Sequence, residues 1–121
     1  MIKITLERSP DGFITRFLAT GHSGFAERGQ DIICAAISAL AQTTIGSLQE
    51  LAAIDPVRQL EDGLIDFSLP EPARLDDRQR QTAGILMDSL AIGCRQIQDS
   101  YPGRHVRLIN FTSKHERGAK A

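Results

Sequence analysis

Asp31-Ile32-Ile33-Cys34-Ala35-Ala36-Ile37-Ser38-Ala39-Leu40-Ala41-Gln42-Thr43-Thr44-Ile45-Gly46-Ser47-Leu48-Gln49-Glu50-Leu51 is the stretch on which the fold turns. Its apolar residues recur at three- and four-residue steps, the period of one face of an α-helix. Ile33, Ile37, Leu40, Thr44, Leu48 and Leu51 form the expected buried stripe. Asp31 suits the N-cap, because a carboxylate there can accept hydrogen bonds from first-turn N–H groups that have no helical partner. Asp55-Pro56 closes the other end, since the residue before a proline avoids the helical region. The spacing predicts a helix from Ile32 to about Ala53.

Upstream, Gly21-His22-Ser23-Gly24-Phe25-Ala26-Glu27-Arg28-Gly29-Gln30 carries three glycines in nine positions, which reads as a loop. Before it, Ile2, Ile4 and Leu6 alternate with Lys3, Thr5 and Glu7, the pattern of a half-buried strand. Ser9-Pro10-Asp11-Gly12 is a turn, and Phe13 to Ala19 is the return strand of a hairpin. Downstream, Val57 to Leu69 reads as strand with a kink or tight turn at Asp62-Gly63, and Ile65, Phe67 and Leu69 face the core. After Pro70-Glu71-Pro72 a second helix starts near Asp76 or Asp77 and runs to about Ser100, with Leu86, Leu90, Cys94, Ile97 and Tyr101 at helical spacing. Pro102-Gly103 stops it. Val106 to Phe111 is a last strand, followed by a frayed polar tail from about Thr112. The expected fold is α+β, order ββαβαβ, with two amphipathic helices on one face of a small, mostly antiparallel or mixed sheet.

Composition narrows the function. A length of 121 residues with 41% hydrophobic content suits one domain with a single core. A formal net charge of −1 provides no general attraction to nucleic acid or to an anionic membrane. Arg104, Arg107, Lys114, Arg117 and Lys120 make the C-terminal end basic; a solvated face is the plain reading and a weak contact with RNA the alternative. The N-terminus has no apolar signal region, and the longest apolar run, Ile32 to Ala41, is broken by Ser38. A cytoplasmic location with reduced cysteines is the expectation.

The chemistry concentrates between Gly21 and Ser38. With Asp31 as cap, Cys34 is the third helical residue, where unpartnered N–H groups and the positive end of the helix dipole favour a thiolate. His22 lies twelve residues earlier, in a loop that must fold back to the helix start, and neutral imidazole is the usual base for a thiol. Gly21 and Gly24 allow unusual backbone angles and close approach of a substrate backbone. N–H groups near Cys34 are candidate oxyanion donors. Asp31 and Ser38 stand three residues before and four after Cys34, on the same helix side. Asp31 either orients His22 or only caps; Ser38 donates to the substrate or to the thiolate. Plainer readings stand beside these: a cysteine in an apolar helical run is commonly a small core residue, and the histidine and glycines would serve a tight connection.

Gly21-His22-Ser23-Gly24-Phe25-Ala26-Glu27-Arg28-Gly29-Gln30-Asp31-Ile32-Ile33-Cys34-Ala35-Ala36-Ile37-Ser38-Ala39-Leu40 resembles the signature of the ribosomal-processing cysteine protease family, Prp. The resemblance covers about twenty contiguous positions and fixes the His–Cys separation. It implies a thiol protease that removes a short N-terminal extension from large-subunit ribosomal protein L-twenty-seven, in bacteria whose copy carries one. It further implies His22 as base, Cys34 as nucleophile, a mobile loop from Gly21 to about Ile33 around the peptide, a homodimer, and no metal or cofactor. The extension ends in a bulky aromatic pair; Phe25 is the one aromatic residue near the loop, so the candidates for its pocket come from elsewhere, Phe13, Phe17 and Phe67.

The remaining polar residues read plainly. Cys94 falls on the apolar stripe of the second helix, a core thiol, and His105 and His115 are surface residues. Cys34, Cys94, His22 and His105 lack the paired spacing of a zinc site. Two other functions compete with the protease: a non-catalytic ribosome-associated module that binds protein or RNA through the loop, and a thiol redox sensor.

Overall fold

The structure, a computed structural model, describes residues 1–22, 24, 31–103 and 105–113. The alternating N-terminal residues form β1 (Ile2–Arg8), and β2 (Ile14–Thr20) returns antiparallel to it. Asp11 ties the turn between them, accepting from Ser9 Oγ and from the Phe13 N–H. Then follow α1 (Ile32–Ala52), β3 (Val57–Glu61), β4 (Leu64–Ser68), a short 3-10 turn at Pro72–Arg74, α2 (Asp77–Ser100) and β5 (Val106–Thr112). The sheet order is β3-β4-β2-β1-β5. β5 runs parallel to β1, and the other pairs are antiparallel.

Register places the core on one face. Leu6 lies opposite Phe17 and Phe17 opposite Phe67, while Ile2 and Ile4 of β1 lie beside Val106 and Leu108 of β5. The Phe17 and Phe67 rings stack at 5.4 Å between centroids. Ile33, Ile37 and Leu48 of α1 and Ala83, Met87, Leu90 and Cys94 of α2 close over this face in a single cluster. Asp76 caps α2 through the Gln79 amide, and the Gln79 side chain returns to the Asp76 N–H. The same Gln79 also donates to the Ala52 carbonyl at the end of α1, so one residue ties the start of one helix to the end of the other.

The expected α+β class, with two helices on one face of a mixed sheet, is what the structure has, with one strand more than the order ββαβαβ. The Asp62-Gly63 turn is a full reversal, so residues 57–69 form the β3–β4 hairpin; Gly63 at φ +74° supplies the left-handed corner. The buried stripe of α1 also differs. Leu51 is 63% exposed and Leu40 only half-buried, whereas Ala41, Ile45 and Ala52 are buried. A reading weighted by side-chain size passes over alanines, yet small residues are what let a helix sit close to its neighbours. β5 includes Thr112, and the Ser113 N–H donates to the Arg8 carbonyl, so strand pairing takes in the first residue expected in the tail. Phe25, Arg104, Lys114, His115, Arg117 and Lys120 lie outside the described residues.

By length and composition α1 would be able to cross a bilayer, with a mean hydropathy of 1.4, a property hidden from a search for unbroken apolar runs. Its buried residues face the sheet and α2, the packing of a core helix. The opposite face of the sheet carries an ion network: Arg16 grips Asp66 with two N–H groups, at 2.9 and 2.8 Å, and reaches Glu7 at 2.8 Å.

Two predictions follow from this packing. Ala53 ends α1 at φ +52°, a conformation that costs a Cβ-bearing residue energy. Ala53→Gly is expected to raise the unfolding free energy by about 1 kcal/mol, read from denaturant midpoints. The Arg16 hydrogen bonds hold the Asp66 carboxyl below its ordinary value of 3.8. A depressed folded-state value gives stability that is complete above 3.8 and is lost as pH falls through the depressed value. Asp66→Asn is therefore expected to be less stable than wild type at neutral pH, with the difference shrinking in acid.

Candidate active site

The start of α1 carries the sulfur. Asp31 is extended and caps the helix, its Oδ1 accepting from the Ile33 and Cys34 amides, both at 3.0 Å. The Cys34 thiol donates to Asp31 Oδ2 at 3.3 Å and is half-buried at the edge of the core. These two amides are thus occupied by Asp31, so the expected oxyanion donors next to Cys34 are not free in this arrangement. Asp31 is placed as cap and as acceptor from the sulfur.

The end of β2 carries the imidazole. Thr20 pairs with Leu64, and the Gly21 N–H donates to the Gly63 carbonyl at 2.9 Å, so β2 leaves the sheet against the β3–β4 turn. Gly21 has φ +90°, and a Cβ there would lie 2.5 Å from the Met1 carbonyl oxygen; both exclude a side chain. His22 follows, with Nδ1 4.0 Å from Cys34 Sγ, the outer limit of a sulfur hydrogen bond. Contacts between catalytic groups are often long before substrate binds. Gly24 has φ +70°, and among the described residues nothing stands within 4 Å of where a Cβ would be.

Asp62 escaped the sequence reading. Its Oδ1 lies 3.8 Å from His22 Nε2, the ring nitrogen turned away from the sulfur. Gly63 is equally specific, because a Cβ on it would come within 3.2 Å of the same nitrogen. The Asp62-Gly63 turn is visible in the sequence, but its position beside His22 depends on the β2–β4 register.

Gly21, His22, Asp31, Cys34, Asp62 and Gly63, but not Gly24, line one cleft of about 490 Å³, floored by Ala19, Ile37 and Ile65 and walled by Ser38 and by Glu61 to Leu64. Ser38 accepts from the Gln42 side chain at 2.8 Å, which leaves its O–H able to donate into the cleft. Among the described aromatic residues, Phe13, Phe17 and Phe67 are not in its lining. Phe17 and Phe67 are fully buried in the core, and Phe13 packs near Gly84 of α2. Ile32 and Ile33, expected within the mobile loop, are the first residues of α1; residues 23 and 25–30 lie outside the described residues. Among the described residues no group of three or more histidine, cysteine or acidic side chains is arranged to hold a metal ion.

A cysteine at a helix start facing an imidazole can perform acyl transfer. The sequence model of the family described as cysteine protease Prp matches residues 1–106. The chain belongs to the Prp family of cysteine proteases. The ribosomal processing cysteine protease Prp of Bacillus subtilis is 34% identical over 103 residues, spanning 84% of this chain and 90% of its own length. A Staphylococcus aureus Prp is 23% identical over 108 residues, 89% of this chain and 97% of its own. Among solved structures, S. aureus Prp with a covalently linked product peptide superposes with a TM-score of 0.78 at 21% identity, covering 91% of this chain and 99% of that one. A Streptococcus mutans protein does so at 0.77 and 26% identity, covering 93% and 96%. The five-stranded mixed sheet with two helices is the fold of these Prp neighbours.

The second thiol of the chain is sealed in the core. Cys94 is fully buried on α2, and burial pushes its thiol up to about 12. Thiolates, not thiols, are alkylated. Native protein is expected to take one equivalent of iodoacetamide, at Cys34, and a second only after unfolding, as counted by mass spectrometry.

Proposed function

We propose that Cys34 is the nucleophile and His22 the general base of an endopeptidase that removes the short N-terminal extension of large-subunit ribosomal protein L-twenty-seven. The observation that carries this reading is Cys34 Sγ facing His22 Nδ1 at 4.0 Å in an open cleft. The name of the B. subtilis relative, a ribosomal processing protease, supports the substrate class, and the peptide bound to S. aureus Prp supports a peptide ligand.

With His22 as the Nε2–H tautomer, Nδ1 has a lone pair for the thiol proton. Sulfur attacks the scissile carbonyl as that proton passes to Nδ1, forming the tetrahedral intermediate. His22 then protonates the departing amine, leaving a thioester on Cys34. Water, deprotonated by the same nitrogen, hydrolyses the thioester and returns the proton to sulfur. Ser38 and the Glu61-to-Leu64 wall bind the peptide beside the sulfur. We further propose that the enzyme acts as a cytoplasmic homodimer.

Cys34→Ala and His22→Ala are each expected to lower cleavage of a peptide spanning the extension junction by at least ~10³-fold while circular dichroism stays native. Edman sequencing of the same organism's L-twenty-seven, before and after exposure to the enzyme, gives the junction. Retained cleavage by Cys34→Ala, or an unchanged N-terminus, would refute the proposal.

A further inference from the structure

We propose that Asp62 is a positioning residue for the His22–Cys34 pair: its carboxylate holds the ring as the Nε2–H tautomer and stabilises the imidazolium formed when Nδ1 takes the thiol proton. The inference rests on the reading of His22 and Cys34 as the catalytic pair, and it adds a third member from a different part of the chain.

Three observations converge. First, the two nitrogens face opposite partners, with the sulfur at Nδ1 and Asp62 Oδ1 3.8 Å from Nε2. A carboxylate on that side favours a proton on Nε2, which leaves Nδ1 as the acceptor the thiol needs. Second, the ring is seated on the turn that carries Asp62. A Cβ at 63 would press within 3.2 Å of Nε2, and the Gly21–Gly63 hydrogen bond ties the residue before His22 to the same turn. Third, the other carboxylate near the sulfur acts in the opposite sense. Asp31 accepts from the thiol at 3.3 Å and so retains the proton on sulfur. Asp62, beyond the ring, draws it onto the imidazole. The transfer moves one proton from Sγ to Nδ1 and needs no other reactant.

At 3.8 Å, with both side chains about half exposed, the contact acts through charge and is open to screening by salt. Among the described residues, the other charged groups near the ring include Asp31 on α1, Glu61 in the same turn and the Met1 amino group at the start of β1, whose carbonyl abuts Gly21.

The test is the rate of Cys34 alkylation by iodoacetamide at neutral pH, at low and high salt, in the whole protein, for wild type, His22→Ala, Asp62→Asn and Asp62→Glu. Asn-Gly suits this turn as well as Asp-Gly, so the Asn variant keeps the hairpin. The wild-type rate near neutral pH is expected to depend on His22. Asp62→Asn should slow it about threefold at low salt, because an opposite charge favours the thiolate–imidazolium pair, and Asp62→Glu should restore most of the rate. Raising salt should slow wild type toward Asp62→Asn and leave that variant nearly unchanged. Peptide cleavage by Asp62→Asn should show kcat reduced about threefold or more with KM little changed. An alkylation rate and salt response in Asp62→Asn identical to wild type would overturn the role of Asp62 alone. Coincidence of wild type with His22→Ala would instead remove the pair on which the proposal stands.

Discussion

The capping of α1 by Asp31 is the contact on which the site depends. One carboxylate oxygen takes the amides of Ile33 and Cys34, and the other receives the Cys34 thiol. An N-cap normally satisfies backbone groups that would otherwise be orphaned. Here the same side chain also fixes where the sulfur points. The helix start and the nucleophile are thus oriented by one residue, and the apolar stripe below it anchors the helix to the sheet.

The imidazole is held from the other side by main chain. β2 ends at Thr20, and its pairing with β4 continues one step further through the Gly21 N–H and the Gly63 carbonyl. That step delivers His22 to the mouth of the cleft. Two glycines with positive φ make the junction possible: Gly21 avoids the Met1 carbonyl, and Gly63 makes room for the ring. The cleft is lined by Asp31, Glu61 and Asp62, with no lysine or arginine among its described lining residues. Among the described residues, a carboxylate stands on each side of the Cys–His pair, Asp31 by the sulfur and Asp62 by the ring.

Several elements were legible because local physics determines them. The alternation of β1, the Ser9–Gly12 turn, the Asp31 cap and the helical spacing of α2 each depend on residues near in sequence, and each was read close to its observed bounds. Cys94 was read as a core thiol from its place on the α2 stripe. The misreadings share one cause. Leu51 looks like a stripe residue on a wheel but faces solvent, because α1 packs through its alanines. Phe17 and Phe67 looked available for a peptide pocket, but the strand register stacks them on each other in the core.

From residue order alone came the α+β class, the helix that presents Cys34, the loop that carries His22 and the family signature joining them. Hydrogen-bonding patterns and periodicity are short-range, so they are written in neighbouring residues. Tertiary structure alone decided that the β3–β4 turn lies beside His22, that Asp62 stands across the ring from the sulfur, and that Asp31 accepts from the thiol as well as capping. Those contacts cross forty residues or follow from side-chain rotamers, and they exist only once strand pairing has set which parts of the chain meet.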